Sequence, residues 1–187
     1  MTAHRTAGQL RALRELCALA RAGLEICDVL AARGEETSDV PRLWLTSLER
    51  WSRGEESPAQ LAAATRAMKA WREGVHGPGR ESVGPVAAWS MAAHYLADAR
   101  EDMTKHPTHT PPHVARVCQH FAATLRLATG DDADAARARV AAMLDRHRKA
   151  VGEECARAEV AAKLRQAKAD KVTAERALGT LPGMETT

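Results

Sequence analysis

Apolar positions along this chain recur at steps of three and four, and nowhere do they alternate at period two over the length of a strand. The first run predicts a helix from about Thr6 to Arg33, with Leu10, Leu13, Cys17, Ala20, Leu24, Cys27 and Leu30 forming one stripe and Gly34 as its stop. A second, shorter helix starts near Pro41, presents Trp44, Leu45, Leu48 and Trp51, and ends at Gly54. The third has the clearest start signal. Ser57 stands at the N-cap, Pro58 at the first helical position and Gln60 three residues after the cap; Leu61, Ala64, Met68 and Trp71 then form the buried face, and Gly74 ends it. The glycines and proline of 75–84 predict a loop, and Pro85 opens a fourth helix carrying Val86, Trp89, Ala93, Leu96 and Met103.

Pro107, Pro111 and Pro112 interrupt the stretch after Thr104. A fifth helix capped by Thr110 then carries Val114, Val117, Phe121 and Leu125, with Gly130 after it. The last pattern runs from Asp132 to about Leu178, with Asp131, Asp132 and Asp134 placed where a helix N-terminus favours anions. Its second half is poor in large apolar residues, and Gly152 is its expected weak point. The expected architecture is therefore all-α: a bundle of five or six helices over residues 1–152, a helical extension over 153–180, and a flexible tail over 181–187.

Composition supports the class and excludes others. Hydrophobic residues make up 45% of the chain and charged residues 27%, too apolar for a disordered protein. The net charge of +3 is a small difference between 27 basic and 24 acidic residues, and both signs are interspersed as on a solvated helical surface. Cys17, Cys27, Cys118 and Cys155 lie far apart, which argues against a zinc ribbon, a redox dithiol or a disulfide scaffold. No stretch approaches the ~20 apolar residues of a membrane span. Arg5, Arg11 and Arg14 precede the first acid, Glu15, but the leucines continue in register into the first helix. That segment reads as mature structure, with cytoplasmic placement as the expectation.

The run from Leu43 to Trp71, LWLTSLERWSRGEESPAQLAAATRAMKAW, resembles a segment of small Ala-rich helical proteins of bacteria and phages. In these, a helix ends in a W-x-x-G-E-x-S element and a second amphipathic helix follows. Leu48, Trp51, Gly54, Glu55, Ser57 and Leu61 carry the match here. Some such proteins are labelled immunity proteins of polymorphic toxin systems, so the resemblance implies an accessory or immunity-type role. The tyrosine-rich continuation they often show is missing: Tyr95 is the only tyrosine.

Candidate chemistry centres on the histidines. His106, His109 and His113 fall within eight positions and His120 follows two turns later, so a helix–loop–helix turn could gather imidazoles around a transition metal. The two E-x-x-H motifs that di-iron bundles use together do not occur, nor does H-E-x-x-H, and the plain alternative is a set of solvated loop histidines. His94, Asp98 and Glu101 share a helix face and pose a possible general base, against the plain reading of a surface pair. Arg139, Arg146 and Lys149 align on the last helix as a possible phosphate-binding strip, although Asp145 interrupts them.

These observations favour a non-enzymatic helical interaction factor that binds another protein or itself, needs no cofactor and does not act on nucleic acid or membrane. Arg157, Lys163 and Lys171 on the extension are the expected partner-facing residues, together with Trp44, which sits one step off the Leu45–Leu48 stripe and has the core as its other placement. The competing readings are a metal-dependent helical-bundle enzyme using histidines of the 94–120 region, and a nucleic-acid-associated helical protein.

Overall fold

In the computed structural model, residues 6–35, 38–77, 83–105 and 111–179 are described; for residues 104, 111, 112, 178 and 179 only the backbone is. They form six helices: α1 (Ala7–Ala32), α2 (Asp39–Arg53), α3 (Pro58–His76), α4 (Pro85–Lys105), α5 (Pro111–Thr129) and α6 (Ala133–Gly179). No strand occurs among the described residues, and the chain divides into two compact units, Met1–Lys149 and Ala150–Thr187.

Local chemistry sets the helix ends. Thr6 and Gln9 form a capping box at α1, and Ser57 and Gln60 form another at α3. Asp132 Oδ1 accepts the backbone N–H groups of Asp134 at 2.8 Å and Ala135 at 2.7 Å, which starts α6. α2 begins two residues before Pro41, because the Ser38 hydroxyl accepts the Val40 N–H and leaves Pro41 inside the first turn, where no donor is needed. α3 runs past Gly74 to His76. A glycine in a helix costs only about 1 kcal/mol, which neighbouring turns offset. α6 likewise continues unbroken through Gly152, the expected weak point.

The core of the first unit is built around α1. Leu16, Leu19, Ile26 and Leu30 are buried, and so are Cys17, Ala18, Ala20, Ala22 and Cys27, so solvent is excluded from most of its circumference. The single stripe expected for α1 is thus too narrow: Cys17, Ala20, Cys27 and Leu30 are buried as expected, but so are residues on most other sides. Leu10 is 41% exposed, and Leu13 and Leu24 are only half-buried. Its alanines and Gly23 have no long side chains to hold neighbours away, so α2, α4 and α5 close around them. A Cβ on Gly23 would lie 3.1 Å from both Leu45 methyls and 3.5 Å from Phe121, which shows how closely α2 and α5 approach. Around this axis pack Trp44, Leu45 and Leu48 of α2, Leu61 and Met68 of α3, Trp89 and Leu96 of α4, and Phe121 and Leu125 of α5. Each fully buried side chain of this size contributes roughly 1.5–3 kcal/mol.

The first turns of α6 close the core with Ala136, Val140, Met143 and Leu144. Ion pairs fix its angle. Arg148 binds Glu15 at 2.6 Å, while Arg146 and His147 meet Glu25 at 2.7 and 3.0 Å. Glu15 and Glu25 are about 15 Å apart along α1, yet their partners are consecutive on α6. This part of α6 therefore crosses α1 steeply instead of running along it.

Candidate functional site

The histidines expected near a metal do not converge among the described residues. His113 Nε2 lies 2.7 Å from Asp102, which staples the start of α5 to the end of α4. His120 is two turns further on and stacks against Tyr95, with ring centroids 5.0 Å apart and planes 17° apart. Burial holds its imidazole below the usual histidine range, so it remains neutral against the ring. Arg116 covers Tyr95 at 5.5 Å, adding a cation–π contact. No group of three or more His, Cys, Asp or Glu side chains suited to a metal occurs among the described residues, and His106 and His109 lie outside them.

Of the expected acid–base constellation on α4, His94 and Asp98 meet and Glu101 does not join them. Arg72 of α3 donates to His94 Nδ1; a guanidinium has no acceptor, so the ring proton of His94 belongs on Nε2, which faces Asp98 at 3.6 Å. Glu101 binds Lys105 at 2.5 Å and does not join the histidine. The Nδ1 contact holds α3 to α4, while the Asp98 contact stays within α4. The Arg72–His94 link and the Tyr95–His120 stack join residues from different helices, and no spacing within one helix reveals them.

A serine–histidine pair that the sequence did not suggest joins His76 Nε2 to Ser90 Oγ at 2.8 Å. Its geometry suits base and nucleophile. Ser90, however, sits mid-helix in α4 with 0% exposure, where no substrate reaches its hydroxyl. The pair satisfies a buried polar group and ties the end of α3 to α4. Cysteine chemistry is suppressed in the same way. Burial pushes the Cys17 thiol up to about 11 and the Cys27 thiol up to about 12, and Cys118 is raised by the same cause. Cys17 also sits against Glu49, whose carboxylate binds Arg21 at 2.7 Å across the α1–α2 contact. An open, largely apolar groove of about 300 Å³ separates α5 from α6; Cys118, Val140, Ala141 and Leu144 line it, with Arg137 and Arg148 also in its wall. Both arginines are engaged by carboxylates, Arg137 by Asp134 and Arg148 by Glu15 and Asp145.

Two of the three cations proposed for a phosphate strip are spoken for as well. Arg139 binds Asp131 at 2.9 Å and Arg146 binds both oxygens of Glu25 at 2.7 Å, while Lys149 is exposed. Trp44 corrects an expectation. It is 1% exposed, its indole N–H donates to Thr65 Oγ1 at 3.3 Å, and it belongs to the core instead of a partner-facing surface. The α2 face turns far enough to bury Trp44 fully, while Trp51 and Trp71 are only half-buried against the core. Trp71 meets Trp89 edge to face at 5.8 Å.

The W-x-x-G-E-x-S element is a helix stop followed by a helix start. Gly54 takes φ 81°, its N–H bonds to the Trp51 carbonyl at 2.9 Å, and the Glu55 N–H bonds to the Arg50 carbonyl at 2.9 Å, so α2 ends in a Schellman turn. Ser57 then caps α3, and the Glu56 carboxylate accepts the Ser47 hydroxyl across the hairpin. The motif positions are used in turning the chain.

What stays open is the second unit. From Glu153 to Ala177 only Cys155 is even half-buried; Val160 is 67% exposed, Leu164 57% and Val172 46%. Arg157 pairs with Glu153 at 3.5 Å and Lys171 with Glu175 at 3.8 Å, both one turn apart, and Lys163 is exposed. Such pairs support a helix that is polar nearly all round. No described helix is long and apolar enough to cross a membrane. No family model matches this chain, nor does any curated protein or solved structure.

Proposed function

We propose that this protein is a non-enzymatic helical interaction factor, of a bacterial or phage accessory or immunity type, acting in the cytoplasm by binding another protein or itself. The observation that carries the reading is the helix of residues 150–179, which leaves Val160, Leu164 and Val172 in solvent. A bare helix of this length with small side chains gains little from its own burial, and a partner would supply what it lacks. The contrast with the first unit adds support: among its described residues, Ser90, Cys17 and Cys27 are buried and His76, His94 and His113 are bonded within the chain. The immunity-type refinement rests on the resemblance of residues 43–71.

Truncation after Gly152 tests it. Every residue of the α1-centred core precedes that point, so the shortened chain should remain folded while losing oligomer or partner formation. Unchanged assembly would remove the extension from the mechanism. One observation favours a second reading, the metal-dependent one. The Nδ1 atom of His113 is buried without a partner among the described residues, while its Nε2 is held by Asp102, as carboxylates often hold metal-bound imidazoles. Metal content of the purified protein, with and without His113→Ala, decides that reading.

A further inference from the structure

We infer that the exposed helix of the second unit pairs with the same helix of a second copy, antiparallel and in a single register; this rests on the interaction reading above and names its partner. At 100° per residue, Glu153, Val160, Leu164 and Lys171 fall within an arc of about 40° on one face of α6. Their side chains are all exposed. The face is self-complementary when reversed. An antiparallel copy that sets Val160 against Leu164 also sets Glu153 against Lys171, because the apolar pair and the charged pair share one centre. A two-fold axis at that centre generates each contact twice: two apolar pairs in the middle and a Glu–Lys pair at either end. Ala167 lies opposite Arg157, so its small side chain leaves room for the guanidinium stem. A parallel pairing would set Glu153 on Glu153 and Lys171 on Lys171, and repulsion disfavours it.

The contact spans about 27 Å of helix and its apolar centre is narrow. It lies below the ~1,000 Å² of a stable interface, so the association is weak and concentration-dependent. The charges then set direction and register more than affinity.

Sedimentation equilibrium on the full chain, from about 10 μM to about 1 mM, tests the inference. The expected result is a reversible rise from the 20.2 kDa monomer towards twice that mass. Leu164→Glu should abolish the rise. Glu153→Lys and Lys171→Glu should each weaken it about tenfold, and the double reversal should recover most of the loss, because the cross-copy pairs are restored with exchanged signs. Circular dichroism on each variant checks that the helix persists. For variants that lose helix, a nitroxide on Cys155 in an otherwise native Cys118→Ser chain gives an independent reading. Cys155 lies on the side of the helix away from the contact, so the two labels stand about 33 Å apart in the antiparallel register, against about 25 Å for a parallel pair.

A mass that stays at the monomer value, a dimer indifferent to Leu164→Glu, a double reversal weaker than either single change, or a label separation near the ~25 Å of a parallel pair would overturn the inference. A monomeric chain whose capture of a different protein still depends on the residues after Gly152 overturns self-pairing and leaves the interaction reading standing. Indifference to that truncation in both assays removes the two together.

Discussion

The two halves of α6 share one backbone conformation and much the same alanine-rich, mixed-charge composition, yet they differ in almost everything else. From Ala133 to Lys149 the helix buries Ala136, Val140, Met143 and Leu144, and Glu15 and Glu25 of α1 pin it. From Glu153 onward the same 3.6-residue repeat meets Ala158, Ala162 and Ala169, and these stay exposed. Helical propensity is common to both stretches, so it is not what separates them. The difference is the size of the side chains on the face that continues the core stripe. A valine, a methionine and a leucine recover enough water-exposed surface to fix a helix against others; three alanines do not. An extended helix of the second kind is stable as a helix and unfinished as a surface.

That contrast predicts a steep gradient of mutational cost. Trp89→Ala should cost about 3–5 kcal/mol by urea unfolding, because Trp89 is 2% exposed beside Trp71. Leu164→Ala, at 57% exposure, should stay within about 0.5 kcal/mol in dilute monomer. Comparable losses at both positions would mean that the second half is packed after all.

A smaller effect sets two glycines against each other. Gly23→Val should destabilise by about 1–3 kcal/mol, since even a Cβ would stand 3.1 Å from Leu45 and the branched methyls need more room. Gly152→Ala should stabilise its helix by up to about 1 kcal/mol, because nothing lies within 4 Å of the added atom. Slower amide hydrogen exchange across residues 150–179 would register the gain; faster exchange would show that the glycine is required.

Next is the anchor of the first half. Arg148→Ala should cost roughly 1 kcal/mol, more than an exposed pair usually does, because Glu15, only 18% exposed in the intact protein, loses its cation. Arg157→Ala, whose partner Glu153 is 52% exposed, should have no measurable effect on the melting temperature.

The smallest effect is linked to pH. The His120 imidazole is held below its ordinary value of 6.5 by burial, so the unfolded chain takes up its proton first as pH falls. The stability tied to its neutral form is present above pH 6.5 and is lost as pH drops through and below that value. Unfolding curves of His120→Gln should therefore be less sensitive to acid than those of the parent. Equal sensitivity would place the acid response elsewhere in the first unit.

The helices and their ends were largely legible in the sequence. Thr6, Ser57, Pro58, Gly54, Pro85 and Asp132 mark boundaries through hydrogen bonds that close within four residues, and such chemistry needs no distant partner. The candidate site was far less legible. Histidine spacing suggested a cluster, but His94 is taken by Arg72, His113 by Asp102 and His120 by Tyr95, in each case across a helix–helix contact. The helix stop at Gly54 and the start at Ser57 were legible in residues 51–57, and the structure added the Schellman hydrogen bonds that make the stop.

By itself the sequence determined that the chain is helical, where most helices begin and end, and that the last helix outruns its supply of large apolar residues. These are properties of propensity, capping and side-chain volume, all decided over a few residues. Tertiary structure alone decided that α1 is buried on nearly every side, that Trp44 is core, and which carboxylate each cation meets. Those outcomes depend on how closely neighbouring helices approach. Ala18, Ala22 and Gly23 permit that approach without specifying which helix makes it.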